Sequence, residues 1–180
     1  MIAGSLAKRY AKALADAAAA SGELEPVARE LAEFADLLRG QRELRRFFAN
    51  PSILKRNKLA AFGEIAGRMG LRTLTATFLR VVLEAGRMSA LDGILRAYEG
   101  LVDERLNRVR AQVTAAAALD PATEQQLRQR LQERLGREVV LEVQQDPALL
   151  GGIVTRVGSV VYDGSLRTQL ARLRQELAQG

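Results

Sequence analysis

LLGGIVTRVGSVVYDGSLRTQLARLRQEL, residues 149–177, decides how the rest of the chain is read. It opens on Gly151-Gly152, runs through β-branched residues, breaks at Gly158-Ser159 and resumes with Val160-Val161-Tyr162. So short and glycine-punctuated a run predicts two strands joined at Gly158-Ser159 and not a helix. Asp163-Gly164-Ser165 then precedes leucines at 166, 170, 173 and 177, whose spacing of four, three and four is one stripe of a helix. Asp163 or Ser165 supplies an oxygen for the orphaned N–H groups of its first turn. Two strands and a sticky helix make scaffold; no reacting group stands here.

The residues before it split into two patterns. From Arg108 the period is two: Val109, Ala111, Val113 and Ala115 alternate with polar neighbours, as Val139, Leu141 and Val143 do later. Between them Asp120-Pro121 caps a helix carrying Leu127, Leu131 and Leu135. Residues 107–180 therefore predict a small α/β domain in the order β-α-β-β-β-α. Residues 1–106 instead show helical periods throughout. A first helix carries Leu6, Tyr10, Ala13, Leu14 and Ala17, and a second Val27, Leu31, Phe34 and Leu38. A third holds Leu44, Phe47 and Phe48 and halts at Asn50-Pro51. The fourth follows with Ser52 as its cap, then Leu59, Phe62, Ala66 and Met69. The fifth, residues 71–85, is apolar on two sides: Leu74, Phe78, Val81, Val82 and Ala85 on one, Thr75, Leu79 and Leu83 on the other. Such a helix is central or offers a face to another molecule. The sixth carries Leu91, Leu95, Tyr98, Val102 and Leu106. The fold class expected is α+β, an N-terminal six-helix bundle followed by the small domain.

Composition removes most chemistry. The 180 residues contain no His and no Cys, which excludes disulfides, thiolate nucleophiles, His-based triads and zinc sites built on those ligands. Carboxylates are scattered, with no apolar setting to raise one pKa. The glycines at 151, 152 and 158 lack the GK[ST] or GxGxxG context of a phosphate loop. No run of 18 apolar residues spans a bilayer, and the N-terminus lacks the features of a secretory or transit peptide, so the sequence predicts a protein made in the cytosol. Net charge is +6. One local concentration stands out, Arg42, Arg45, Arg46, Lys55, Arg56 and Lys58, relieved only by Glu43. It reads as a solvated face, or as a footprint for phosphates or acidic protein. Its aromatics, Phe47 and Phe48, are adjacent to each other and not interleaved with the charges as a base-stacking platform.

The pattern GG-x5-G-x4-DGS-x4-L-x2-L at 151–173, with AKRYAKAL at 7–14 and FFANPSILKRNKLAAF at 47–62, resembles the delta subunit of F-type ATP synthases, the family of the mitochondrial oligomycin-sensitivity-conferring protein. Ser159 departs from it, where an acidic residue is expected, and so does Gly86, where a larger polar one is. The resemblance implies a non-catalytic stator subunit that ties the catalytic head to the membrane-fixed b subunits against rotor torque during proton-driven synthesis. It implies one copy per complex, no cofactor, no metal and no nucleic acid. It also implies a peripheral place on the cytoplasmic face of a bacterial plasma membrane, held through partners. In the family the first and fifth helices take the N-terminal helix of an α subunit. On matching positions that groove would be lined by Tyr10, Ala13, Leu14, Ala17, Phe78, Leu79, Val82 and Leu83, some of which face the bundle core instead. Contacts to b, or the structural signature, would involve Gly151, Gly152, Gly158, Asp163, Gly164, Ser165, Leu166, Leu170 and Leu173. The alternative from charge alone is a basic helical module that binds nucleic acid.

Overall fold

The computed structural model describes residues 2–147, 149, 151–158, 160–166 and 168, and the chain divides into two compact units, Met1–Val102 and Asp103–Gly180. The first unit is helical: α1 (Ile2–Ser21), α2 (Leu24–Gly40), α3 (Arg42–Ala49), α4 (Lys55–Met69), α5 (Thr73–Glu84), a single 3-10 turn (Met88–Ala90) and α6 (Leu91–Arg105). Helix α2 shows why these segments pack. Val27, Leu31, Phe34, Ala35 and Leu38 recur at helical spacing and all are buried, so one stripe faces inward and the charged residues face out. Phe34 meets Phe62 of α4 edge-on at 5.8 Å between ring centroids. Helix α6 contributes Leu91, Ile94, Leu95, Tyr98 and Val102 to the same core. The Tyr98 hydroxyl donates to the Leu24 carbonyl, 3.0 Å, so its polar end is satisfied inside an apolar setting. Arg72, just ahead of α5, pairs with Glu23 and Glu30 at 3.2 Å each and ties that turn to α2.

Helix starts differ from expectation at one place. Ser52 does not cap α4; its N–H donates to the Asn50 side chain, 2.9 Å, in a turn, and the helix begins at Lys55 with no side-chain cap. The Lys58 ammonium instead donates to the Phe48 carbonyl, 2.8 Å, at the end of α3. A cation at a helix C-terminus meets both an unpaired carbonyl and the negative end of the dipole.

The second unit is a four-stranded mixed sheet with one described helix: β1 (Arg108–Ala115), α7 (Pro121–Leu135), β2 (Glu138–Gln145), β3 (Ile153–Val157) and β4 (Val160–Asp163). Strand order is β2-β1-β3-β4, with β1 parallel to β2 and antiparallel to β3, and β3 antiparallel to β4. Ala111, Val113, Leu131, Val139 and Val157 form its core. Asp120 caps α7 by accepting from the Thr123 N–H, 2.9 Å, and Gly136 ends it in the left-handed conformation. Asp103 accepts from Arg108 at 2.7 Å and Arg110 at 2.6 Å, and Arg110 also reaches Glu142 at 3.1 Å. The second unit begins at Asp103, within the last turn of α6.

The architecture is thus α+β, helix-rich with a small C-terminal mixed sheet. Among the described residues there are seven α-helices, six before the sheet and α7 within the second unit. The final helix expected on Leu166, Leu170, Leu173 and Leu177, and the turn at Ser159, lie outside the described residues except for Leu166 and Thr168.

Candidate functional site

Helix α1 is rich in alanine, and burial divides its sides. Ala7, Ala11, Leu14, Ala15 and Ala18 are buried, a stripe at spacings of four, three, one and three. The stripe expected from the sequence is displaced from this one. Leu6 and Tyr10 are only half-buried, and Ala13 and Ala17 are exposed. The shift has a simple cause: bulk is not what selects the inward side here. The small stripe allows close approach to α6, where a Cβ on Gly93 would lie 3.5 Å from that of Ala7.

Helix α5 behaves in the same way. Thr75, Leu79, Val82 and Leu83 face the core, while Leu74 and Phe78 are half-buried and Val81 is 48% exposed. Leu74, Phe78, Val81 and Ala85, at spacings of four, three and four, lie on one stripe of the helix. Tyr10 and Phe78 meet edge-on, 6.4 Å between centroids at 71°. Two apolar strips therefore flank the contact: Leu6, Tyr10, Ala13 and Ala17 on α1, and Leu74, Phe78, Val81 and Ala85 on α5.

Of the eight residues expected to line this groove, Tyr10, Ala13, Ala17 and Phe78 have surface to offer. The other four do not. Leu14, Leu79, Val82 and Leu83 are 2%, 0%, 0% and 4% exposed, and each belongs to the core of the first unit. The expectation is corrected accordingly, because a side chain already enclosed by its own domain has no area left to bury against a ligand. Leu6, Leu74, Val81 and Ala85 are the further apolar residues of the two strips that keep exposed surface. Val81 is the clearest, a large apolar side chain half open to water on a helix whose other apolar residues are better covered.

The residues of the C-terminal signature come together as a backbone clasp. The Gly164 N–H donates to the Ile153 carbonyl and the Leu166 N–H to the Gly151 carbonyl, 3.0 Å each. Asp163 accepts from the Ser165 N–H at 2.9 Å and the Thr168 hydroxyl at 2.8 Å, and buried Ser165 accepts from the Thr168 N–H at 3.4 Å. Gly152 has φ +83°, and a Cβ there would overlap the Gly164 carbonyl oxygen and approach the Ser165 Cα to 2.9 Å. So Gly151, Gly152, Asp163, Gly164 and Ser165 bind one another. Gly158 supplies the φ +58° turn between β3 and β4 with open space around it. Leu166, by contrast, is 46% exposed beside an outer strand whose Val160 and Val161 are 51% and 48% exposed. Leu170 and Leu173 lie outside the described residues. No helix among the described residues is long and apolar enough to cross a membrane.

The ATP synthase delta (OSCP) subunit family model matches residues 6–177. The chain is 40% identical to the ATP synthase subunit delta of Anaeromyxobacter sp. (strain Fw109-5), over 99% of this chain and 100% of that one. It is 39% identical to that of Myxococcus xanthus (strain DK1622), again over 99% and 100%. Its fold is similar to a chain of the Toxoplasma gondii mitochondrial ATP synthase hexamer, TM-score 0.65 at 24% identity, covering 96% of this chain and 97% of the other. On these matches the chain belongs to the ATP synthase delta (OSCP) subunit family, and it is a non-catalytic stator component of F-type ATP synthase.

Proposed function

We propose that the chain works as a two-ended tether, its first unit acting as a six-helix bundle that grips the catalytic head and its second unit meeting the b subunits of the peripheral stalk. The head contact is an amphipathic helix from an α-subunit N-terminus, laid between α1 and α5. The observation that carries this is the pair of exposed apolar strips joined at Tyr10 and Phe78. Helix-in-groove recognition uses apolar side chains at i, i+3, i+4 and i+7, and both strips present them at that spacing. Apolar surface left open on the second unit, by Val160 and Val161 on opposite faces of β4 and by Leu166 after it, supports a contact to b there. One copy per complex, on the cytoplasmic face of a bacterial membrane and held there through its partners, completes the reading. Such a device requires affinity and stiffness and no reacting group, which accords with a chain lacking His and Cys.

Val81→Asp tests the groove. Val81 is half exposed, so its docking withdraws about half of a valine side chain from water, roughly 1 kcal/mol, and an unpaired carboxylate placed there adds a larger penalty. Binding of a peptide of the α N-terminus should weaken roughly thirtyfold or more while the helical circular dichroism is unchanged. A folded Val81→Asp protein that binds the peptide as the parent does refutes the groove.

A further inference from the structure

Ion pairs among the described residues join Arg39 with Asp36 and Asp92, Arg72 with Glu23 and Glu30, Arg108 and Arg110 with Asp103, and Arg128 with Glu124. The corner formed by α3 and the start of α4 gathers five cations outside these pairs. Arg42, Arg45, Arg46, Lys55 and Arg56 are all exposed, and none of them forms an ion pair with a described residue. Spacings of three and four put Arg42, Arg45 and Arg46 on one side of α3. Lys55 and Arg56 occupy the first turn of α4, which has no acidic residue and no side-chain cap. Cations there face the positive end of the helix dipole, an arrangement that works against the helix. Leu54, immediately before them, is 56% exposed. Glu43 on α3, Glu84, which borders the same recess as Lys55 and Lys58, and Asp92, which pairs with Arg39, are acids nearby. Local rules broken together, with no internal compensation, mark a surface shaped for something outside the chain.

Beside this corner lies a recess of about 350 Å³. Buried Leu38, Phe48, Met88 and Leu91 back it, and Arg39, Arg45 and Asp92 border it. We infer that this corner docks an acidic polypeptide segment of a neighbouring subunit, whose carboxylates pair with Arg42, Arg45 and Arg46. Charge complementarity selects the sign, and the covered aromatics select a protein over a nucleic acid. Phe48 is buried and Phe47 half-buried, so no open aromatic face is presented for bases to stack on. The site is separate from the α1–α5 groove and relies only on the chain's place in a larger assembly.

The test uses the assembled synthase. Zero-length carbodiimide coupling should join Lys55, and the lysine of an Arg45→Lys variant, to an Asp or Glu of another subunit, mapped by mass spectrometry. The triple variant Arg42→Glu, Arg45→Glu, Arg46→Glu should still assemble, lose the coupling at Lys55, and leave the complex with a dissociation constant raised roughly tenfold. The milder Lys55→Gln variant should assemble and weaken retention in the same direction. An intact complex with no coupling at either lysine, or a triple variant retained as tightly as the parent, overturns the inference. So does finding that the same residues make the purified chain bind poly-U RNA, or vesicles one-third phosphatidylglycerol, while no carboxylate couples in the complex. Failure of the tether reading is distinguishable, since there the Val81→Asp variant would bind the head normally whatever this corner does.

Discussion

Two glycines of the C-terminal signature make a paired prediction whose difference can be worked from the structure. Gly158 and Gly152 both hold positive φ, +58° and +83°. An alanine at Gly158 would meet nothing within 4 Å, so its cost is that of a left-handed L-residue, about 1–2 kcal/mol. Part of that is offset by the smaller entropy of the unfolded chain. An alanine at Gly152 adds a collision with backbone. Its Cβ would overlap the Gly164 carbonyl and crowd the Ser165 Cα, and neither atom can move alone, because Gly164, Ser165 and Leu166 each donate a hydrogen bond within the clasp. Displacing that segment forfeits one or two such bonds at about 1 kcal/mol each, besides packing. Gly152→Ala should therefore destabilise the second unit by roughly 3–5 kcal/mol and Gly158→Ala by about 1. In a unit of this size the gap corresponds to more than ~10 °C in Tm. Hydrogen exchange by mass spectrometry suits the question, because β3 peptides report the second unit and α2 peptides report the first within one sample. Gly152→Ala should speed exchange across β1 and β3 and leave α2 unchanged. Equal effects from the two substitutions, or a silent Gly152→Ala, would refute the clasp.

Two further expectations follow from single polar groups. The Thr75 hydroxyl is fully buried with no hydrogen-bond partner, so Thr75→Val, near in shape, should raise the stability of the first unit by about 1 kcal/mol, read as a Tm increase of several degrees. Asp120 is held below the ordinary carboxylate value of 3.8, first by the Thr123 hydroxyl and next by the Thr123 N–H. A depressed folded pKa stabilises above the ordinary value and is lost as pH falls through the folded one. The stability difference between parent and Asp120→Ala should accordingly shrink on acidification below pH 3.8, as urea unfolding at stepped pH would show.

The sequence made the elements legible wherever residue types contrast. The alternation of Val109, Ala111 and Val113 against charged neighbours specifies β1, and Asp120-Pro121 specifies the start of α7, because period and cap each have one physical reading. The groove was legible only as a pair of helices. On α1, buried Ala11, Ala15 and Ala18 and exposed Ala13 and Ala17 are the same residue, so hydropathy could not say which side turns inward. On α5 both sides are apolar, and tertiary packing alone divides Leu79 and Val82 from Phe78 and Val81. The signature glycines were visible as a pattern, yet their reason, a carbonyl pressed against Gly152, arises between residues a dozen positions apart. Ser52 was read as a cap from type and position, but Asn50 two residues earlier takes its N–H into a turn.

The alanine side of α1 has a consequence for how the subunit responds to its partner. Each buried alanine removes a single methyl group from water, on the order of 0.8 kcal/mol, whereas a leucine removes several times that. Among the described side chains of α1, Leu14 is the one large one in the buried stripe, so these residues latch the helix lightly to its own domain. Segments with little buried apolar area open at low free-energy cost. A partner helix lying across both α1 and α5 would close that latch from outside, making the slow exchange of α1 amides a direct gauge of whether the head is engaged.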